Sequence, residues 1–353
     1  MAALLVCIGL MAGCAPSAGS EGAGADAAAA DAAGGQEPLR VCSLKGPTTI
    51  GLASLMAEGG SDGEGEAEGP SADPYAFEVA ATADEVAAKL AAGECDVALL
   101  PANLAAALYQ RTDGAVRAID VNTLGVLYGL TADESLKAAD GLSMADLAGR
   151  TVYLTGKGTV PQYTVECLLQ AAGVADSVTL EFRSEPSEVA ALVQADPAAV
   201  GIVPQPFATA AMAQDGSLAA VLDLTEQWDR AFATAADGQE AGRFVTGVTV
   251  ARAEVLDQRP EDVRRFLRDH GASAALAASD PAAVAPEVVE LGIVGSVPVA
   301  ERAIPQCNVV CLTGDDMKAA LGGYLARLFK LAPQAVGGFL PDDGFYWDGD
   351  ATR

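Results

Sequence analysis

Residues 39–56 read LRVCSLKGPTTIGLASLM. The apolar run Leu39–Leu44 meets Lys45, Gly46, Pro47 and Thr48, and a weakly polar stretch with helical spacing follows, predicting a helix near 48–57. A strand that becomes a helix in this way leaves unpaired backbone N–H groups at the carboxyl edge of a sheet, where open α/β sheets bind ligands. Glycine there lets backbone come close to a ligand. Threonine hydroxyls can cap the helix or bond to the ligand.

The same unit occurs twice. TVYLT (151–155) runs into Gly156, Lys157, Gly158 and Thr159, and a helix follows. The third strand of each unit also ends alike, in LLPANLAAA (99–107) and IVPQPFATA (202–210). Between these points YAFEVAAT (75–82), CDVALLPA (95–102), SVTLEFR (177–183) and AVGIVPQP (199–206) read as strands. They alternate with alanine-rich helical runs such as ADEVAAKLAAG (83–93) and SEVAALVQA (187–195). This alternation predicts an α/β protein whose mostly parallel sheets are flanked by helices. A long β-rich segment, VRAIDVNTLGVLYGLTA (116–132), separates the two halves. Two corners facing each other would form a clamp, one jaw from each lobe. Each helix end contributes about 0.3–1 kcal/mol toward an anion, and up to about 2 when partly buried.

The chain opens MAALLVCIGLMAGC (1–14). Its apolar part is too short to span a bilayer, which takes roughly 20 residues, but it suits a secretion signal over residues 1–13. Leu10–Cys14 resembles a bacterial lipobox, in which the cysteine is lipidated, so Cys14 is the expected lipid site. Residues 14–38 are Ala, Gly, Ser and acid without a large apolar side chain until the strand begins, as expected of a flexible tether. The acidic Gly-rich stretch SDGEGEAEGPSAD (61–73) reads as a surface insert.

Acids outnumber Lys and Arg by 48 to 21, for a net charge of −27, which argues against nucleic acid as a partner. Residues 39–353 are too many for one comfortable core and enough for two lobes. Cys42, Cys95, Cys167, Cys307 and Cys311 form no CxxC pair, so a zinc ribbon or thioredoxin-like motif has no support, and the sequence does not pair them. The pattern Gly156-Lys157-Gly158-Thr159 fails the P-loop spacing. PDDGFYWDGD (341–350) fails that of an EF-hand. His270, the single histidine, reads as a helix-surface residue, which leaves Ser-His or Cys-His catalysis little to rest on. Trp228 and Trp347 read as packing residues.

Taken together, Leu10–Cys14, Leu44–Thr49, GECDVALLPANLAAALY (93–109), LSMADLAGRTVYLTGKGT (142–159), IVPQPFATAAM (202–212) and LDLTEQWDRA (222–231) resemble an extracytoplasmic substrate-binding lipoprotein of an ABC importer. The similarity is to the type II periplasmic-binding fold, in its nitrate/sulfonate/taurine group, with thiamine-precursor binders also alike. It implies two lobes joined by two crossings near Val121–Leu130 and Phe244–Val250. Lobe 1 would comprise 39–122 with 245–353, and lobe 2 would comprise 123–244. It further implies a ligand site at Lys45, Gly46, Pro47, Thr48, Asn103, Tyr128, Thr155, Gly156, Lys157, Gly158, Thr159, Gln162 and Gln205. At the corner before its helix, Asn103 reads as an N-cap, a ligand contact or both. No cofactor, metal or catalytic residue is implied. The partners are a permease, a small ligand and, through lipid only, the membrane, and a monomer is expected. Two lysines at the corners favour a small anion such as a sulfonate or carboxylate, with an uncharged heteroaromatic as the rival. The same fold also serves menaquinone-pathway and thiamine-pyrimidine enzymes, and ligand sensors that do not transport.

Overall fold

The computed structural model describes residues 37–60, 73–139, 141–232 and 242–349. The signal segment, Cys14, nearly all of the tether and almost all of the acidic insert lie outside the described residues.

In the first unit, β1 (Leu39–Leu44) leads through α1 (Pro47–Ile50) and α2 (Ala53–Gly60) to β2 (Tyr75–Ala80). Next come α3 (Ala83–Ala92), β3 (Val97–Pro101) and α4 (Ala102–Arg111). β4 (Val116–Leu124) and β5 (Leu127–Thr131) follow, then the short α5 (Glu134–Lys137). In the second unit, β6 (Thr151–Leu154), α6 (Val160–Ala171), β7 (Thr179–Phe182), α7 (Pro186–Ala195), β8 (Val200–Pro204) and α8 (Phe207–Gln214) repeat the first. β9 (Ala219–Asp223), α9 (Leu224–Phe232) and β10 (Val245–Arg252) complete the crossings. After β10 come α10 (Ala253–Gln258), α11 (Pro260–Ser279), α12 (Pro281–Glu290), α13 (Val297–Ala303), β11 (Val309–Leu312) and α14 (Gly314–Leu331).

Two sheets result, ordered β11-β4-β10-β3-β1-β2 and β7-β6-β8-β5-β9. β1 pairs parallel with β2 and β3, and β6 does so with β7 and β8. β10 runs antiparallel between β3 and β4, as β5 does between β8 and β9. The repetition read in sequence is therefore a repetition of topology: a βαβαβ unit, one reversed strand, then one more strand. The chain leaves the first sheet between β4 and β5, at Gly125–Val126, and re-enters it at β10.

The run between residues 47 and 60 is two helices, where the spacing predicted one. Thr48 and Thr49 turn their hydroxyls back onto the Leu44 carbonyl, at 3.3 and 2.7 Å. Leu52 N–H closes a tight turn on the Thr49 carbonyl, at 2.9 Å. His270 also departs from expectation. It is fully buried, on the face of α11 that carries Phe266 and packs against the first sheet. Three facing groups explain this placement: Asp120 on β4, Phe266 one turn earlier and Gly51, whose lack of a Cβ leaves room for the ring.

The aromatic residues gather where the return crossing meets α14. Trp228 is fully buried, with Phe232 and Tyr324 ring centroids at 4.5 and 5.1 Å, and its indole N–H donates to the Gly242 carbonyl at 2.8 Å. Gly242 passes so close to α14 that a Cβ there would lie 2.3 Å from the Gly323 carbonyl carbon and 2.4 Å from the Tyr324 nitrogen. Backbone cannot retreat as a side chain can, so Gly242→Ala is expected to destabilise the fold by about 1–3 kcal/mol, the usual penalty for overpacking. A urea titration against wild type measures it, and an unchanged midpoint would contradict the close approach.

Candidate functional site

The two corners lie at the carboxyl ends of β1 and β6, beside the ends of β3 and β8, as the doubly wound pattern requires. At the first corner Gly46 takes φ +149°, a conformation that residues with a Cβ rarely adopt. Thr48 and Thr49 are buried, and their hydroxyl protons are committed to Leu44, so they tie strand to helix before they offer anything to a ligand. α1 has only four residues, too few to carry the helix-end field expected of it. Lys45 is exposed and directs its Nζ to the turn after α12, 3.4 Å from where a Cβ on Gly292 would lie.

The second corner stands at the start of a full helix, α6, but it is already satisfied internally. Gly158 N–H donates to Gln162 Oε1 at 2.8 Å, and Thr159 N–H to the Gly156 carbonyl at 3.0 Å. Thr159 Oγ1 donates to that same carbonyl at 2.9 Å. Gln162 is thus a capping residue, and its Nε2 is held by Glu166 at 2.8 Å. Thr155 is buried at the strand end. Lys157 is exposed and leans over the Phe182 ring, 5.9 Å from its centroid. The structure therefore does not bring the two lysines onto one point. One reaches toward the C-terminal helices, and the other lies along its own sheet.

Asn103 makes the join. Only 3% exposed, its amide nitrogen donates to the Gly158 carbonyl of the second unit and to Ala335 O, both at 3.3 Å. The N-cap of α4 is Pro101, so Asn103 does not serve as a cap. Its Oδ1 is buried with no partner among the described residues, which leaves a strong acceptor free at the seam. A second join lies at the end of β8. Gln205, fully buried, receives the Thr209 N–H at 3.2 Å and donates to Gln306 Oε1 at 2.8 Å. Tyr128 places its hydroxyl 3.4 Å from the Gln306 carbonyl. Burial and the neighbouring Asp223 carboxylate push that phenol well above its usual range, so it stays a neutral donor.

Gln306 escaped the sequence reading because a three-residue helical turn, Ile304–Gln306, carries no periodicity. A second omission had a legible signal. Asp120, Asn122 and Thr123 lie within a strand that is apolar apart from them and Arg117, and all three are buried. Asn122 Oδ1 faces Gly247, where a Cβ would lie 2.4 Å from that oxygen and 2.6 Å from the Thr48 methyl. The first corner thus rests on a polar floor of Asn122 and Thr123, joined at 2.8 Å.

No family profile matches the sequence, and no curated protein matches it. Solved structures do. An ABC transporter protein of Parabacteroides distasonis superposes with a TM-score of 0.68 at 22% identity, covering 88% of this chain and 98% of that one. The periplasmic aliphatic sulphonate-binding protein SsuA of Escherichia coli gives 0.65 at 15% identity, over 88% and 92%. The alkanesulfonate-binding SsuA of Xanthomonas axonopodis pv. citri, bound to MOPS, gives 0.56 at 14%, over 86% and 94%. The fold of this chain is that of ABC-transporter substrate-binding proteins, the two-lobed type II periplasmic-binding fold.

Truncation of Asn103 tests the seam. Asn103→Ala strands the Gly158 and Ala335 carbonyls and is expected to cost about 1–3 kcal/mol in thermal or urea unfolding. Small-angle scattering should show a larger radius of gyration as the two sheets part. A variant as compact and stable as wild type would mean that the contact holds nothing.

Proposed function

We propose that this protein is an extracytoplasmic solute-binding protein, held at the membrane through lipid on Cys14, that captures a small anion between two lobes and passes it to an ABC importer permease. The lobes, with the first boundary moved from 122 to the crossing at Gly125–Val126, are 39–124 with 245–353, and 125–244. The observation that carries this reading is the meeting of two like strand–corner–helix units, from separate sheets, at Asn103 and Gly158. Between them lie a buried free acceptor on Asn103, the neutral phenol of Tyr128 and the amides of Gln205 and Gln306, a set that can orient a small polar molecule. Closure about Gly125–Val126 and the return crossing would enclose it, a hinge motion.

The anionic preference is supported by charge economy. Acids outnumber Lys and Arg by 48 to 21, yet neither Lys45 nor Lys157 has a carboxylate partner among the described residues. A lysine with no such partner among the described residues, one at each corner, can swing toward an incoming anion. The fold neighbours whose names state a ligand include two sulfonate-binding proteins.

Calorimetry with short sulfonates, carboxylates and uncharged heteroaromatics tests the reading. A sulfonate or carboxylate should bind and be recovered unchanged. Lys45→Ala and Lys157→Ala should each weaken it by about 1.5–3 kcal/mol, the range for hydrogen bonds to charged groups. Binding of the heteroaromatic alone, indifferent to both lysines, would overturn the anionic reading. A chemically altered ligand would make the protein an enzyme.

The anchor has its own test. Expressed in a bacterium with a lipoprotein pathway, wild type should fractionate with membranes, and Cys14→Ser should be soluble or unprocessed. Equal solubility of the two removes the anchor.

A further inference from the structure

The pairing of β4 with β10 is irregular where it matters. Thr249 stands opposite Asp120 and Val250 opposite Ala118, so Ile119 has no partner and forms a bulge. In a regular strand Ile119 and Asp120 would face opposite sides of the sheet. Here both meet α11: Ile119 packs in the cluster that contains Phe266, and the Asp120 carboxylate reaches His270 one turn later. Re-aiming a side chain in this way is a recurrent use of bulges.

Asp120 and His270 are both fully buried, with Asp120 Oδ2 3.2 Å from His270 Nδ1. Cys311 on β11 completes a triangle. One carboxylate oxygen, one imidazole nitrogen and the sulfur lie within 4.8 Å of one another. A carboxylate, an imidazole and a thiol drawn from three different elements form the donor set of a tetrahedral Zn²⁺ or Co²⁺ site with one position left open. The Asp120–His270 spacing already matches that of two ligands on one such ion, about 3.3 Å for bonds near 2.0–2.1 Å.

We infer that Asp120, His270 and Cys311 form a binding site for a divalent transition metal, Zn²⁺ by its donor set, separate from the ligand cleft. Charge balance favours it. A dication with one carboxylate, one thiolate and a neutral imidazole sums to zero, whereas a buried carboxylate without such compensation is expensive. The outer contacts are those a ligating carboxylate needs: Thr249 Oγ1 donates to Asp120 Oδ1 at 2.8 Å, and Asn122 Nδ2 supports Thr249 at 3.1 Å. His270 Nε2 is buried without a partner among the described residues, so the ring is oriented through Nδ1 alone. Access comes from the Cys311 side. A cavity of about 440 Å³, lined by Ile119, Arg264, Leu267, Arg268, Cys311 and Trp347, reaches the thiol from that side. The alternative is a plain Asp–His core pair with a thiol nearby, and it requires no metal at all.

Co²⁺ titration of chelator-stripped protein separates the two. Metal bound through Cys311 should give a thiolate-to-cobalt charge-transfer band at one ion per chain, displaced by Zn²⁺. Cys311→Ser, at a partly exposed position, should abolish that band and weaken binding at least tenfold. On wild type, Zn²⁺ should protect Cys311 from alkylation, read by peptide mass spectrometry, so the test survives even a variant that folds poorly. Absence of stoichiometric metal, a band retained in Cys311→Ser, or alkylation of Cys311 at an unchanged rate would each overturn the site.

Discussion

The antiparallel pairing of β4 with β10 is the constraint on which the rest depends. β4 carries the chain out of the first sheet, and β10 brings it back to lie between β3 and β4. The first sheet therefore closes only across residues 127–223, a stretch that supplies every strand of the second sheet. Contacts between strands so far apart in sequence are slow to form, because loop closure precedes any gain from pairing. The same pairing sets both edges of the proposed cleft. The crossing at Gly125–Val126 leaves directly from β4, and Gly247 on β10 underlies the first corner.

The corners show how backbone polarity is managed at such a cleft. Each contains N–H and hydroxyl groups that could serve a ligand, yet most are spent holding the turn: Thr48 and Thr49 on Leu44, Gln162 on Gly158, Thr159 on Gly156. Leaving buried donors unsatisfied in the empty state would destabilise the fold by about 1–3 kcal/mol apiece. What remains for the proposed ligand is a small set of side chains at the seam, chiefly Asn103, Tyr128, Gln205 and Gln306. Lys45 and Lys157 stand further out, both exposed.

Beneath the first corner a polar layer runs through the sheet. Thr123, Asn122, Thr249 and Asp120 form one hydrogen-bonded series that ends at His270. Such a layer is costly unless every member is satisfied, and it fixes side-chain orientation more firmly than an apolar core would. It joins the polar floor of the first corner to the Asp120–His270–Cys311 triangle.

The strand–helix alternation, the doubled unit with its Lys-Gly corner, and the Pro that ends each third strand were legible in the residues, because they arise from local periodicity and turn chemistry. The break of the first helix after Ile50 was not, since it depends on hydroxyls folding back onto Leu44. Nor was the burial of His270. A polar residue near a glycine reads as surface until a bulge in a strand 150 positions away turns Asp120 to meet it. Gln306 was invisible because only the packing of a short turn against the second sheet gives it a role. The sequence by itself determined the strand–helix alternation and which strand ends carry the two corners. Tertiary structure alone decided which polar side chains meet there, because long-range strand register, a bulge and the seam between two sheets set those encounters.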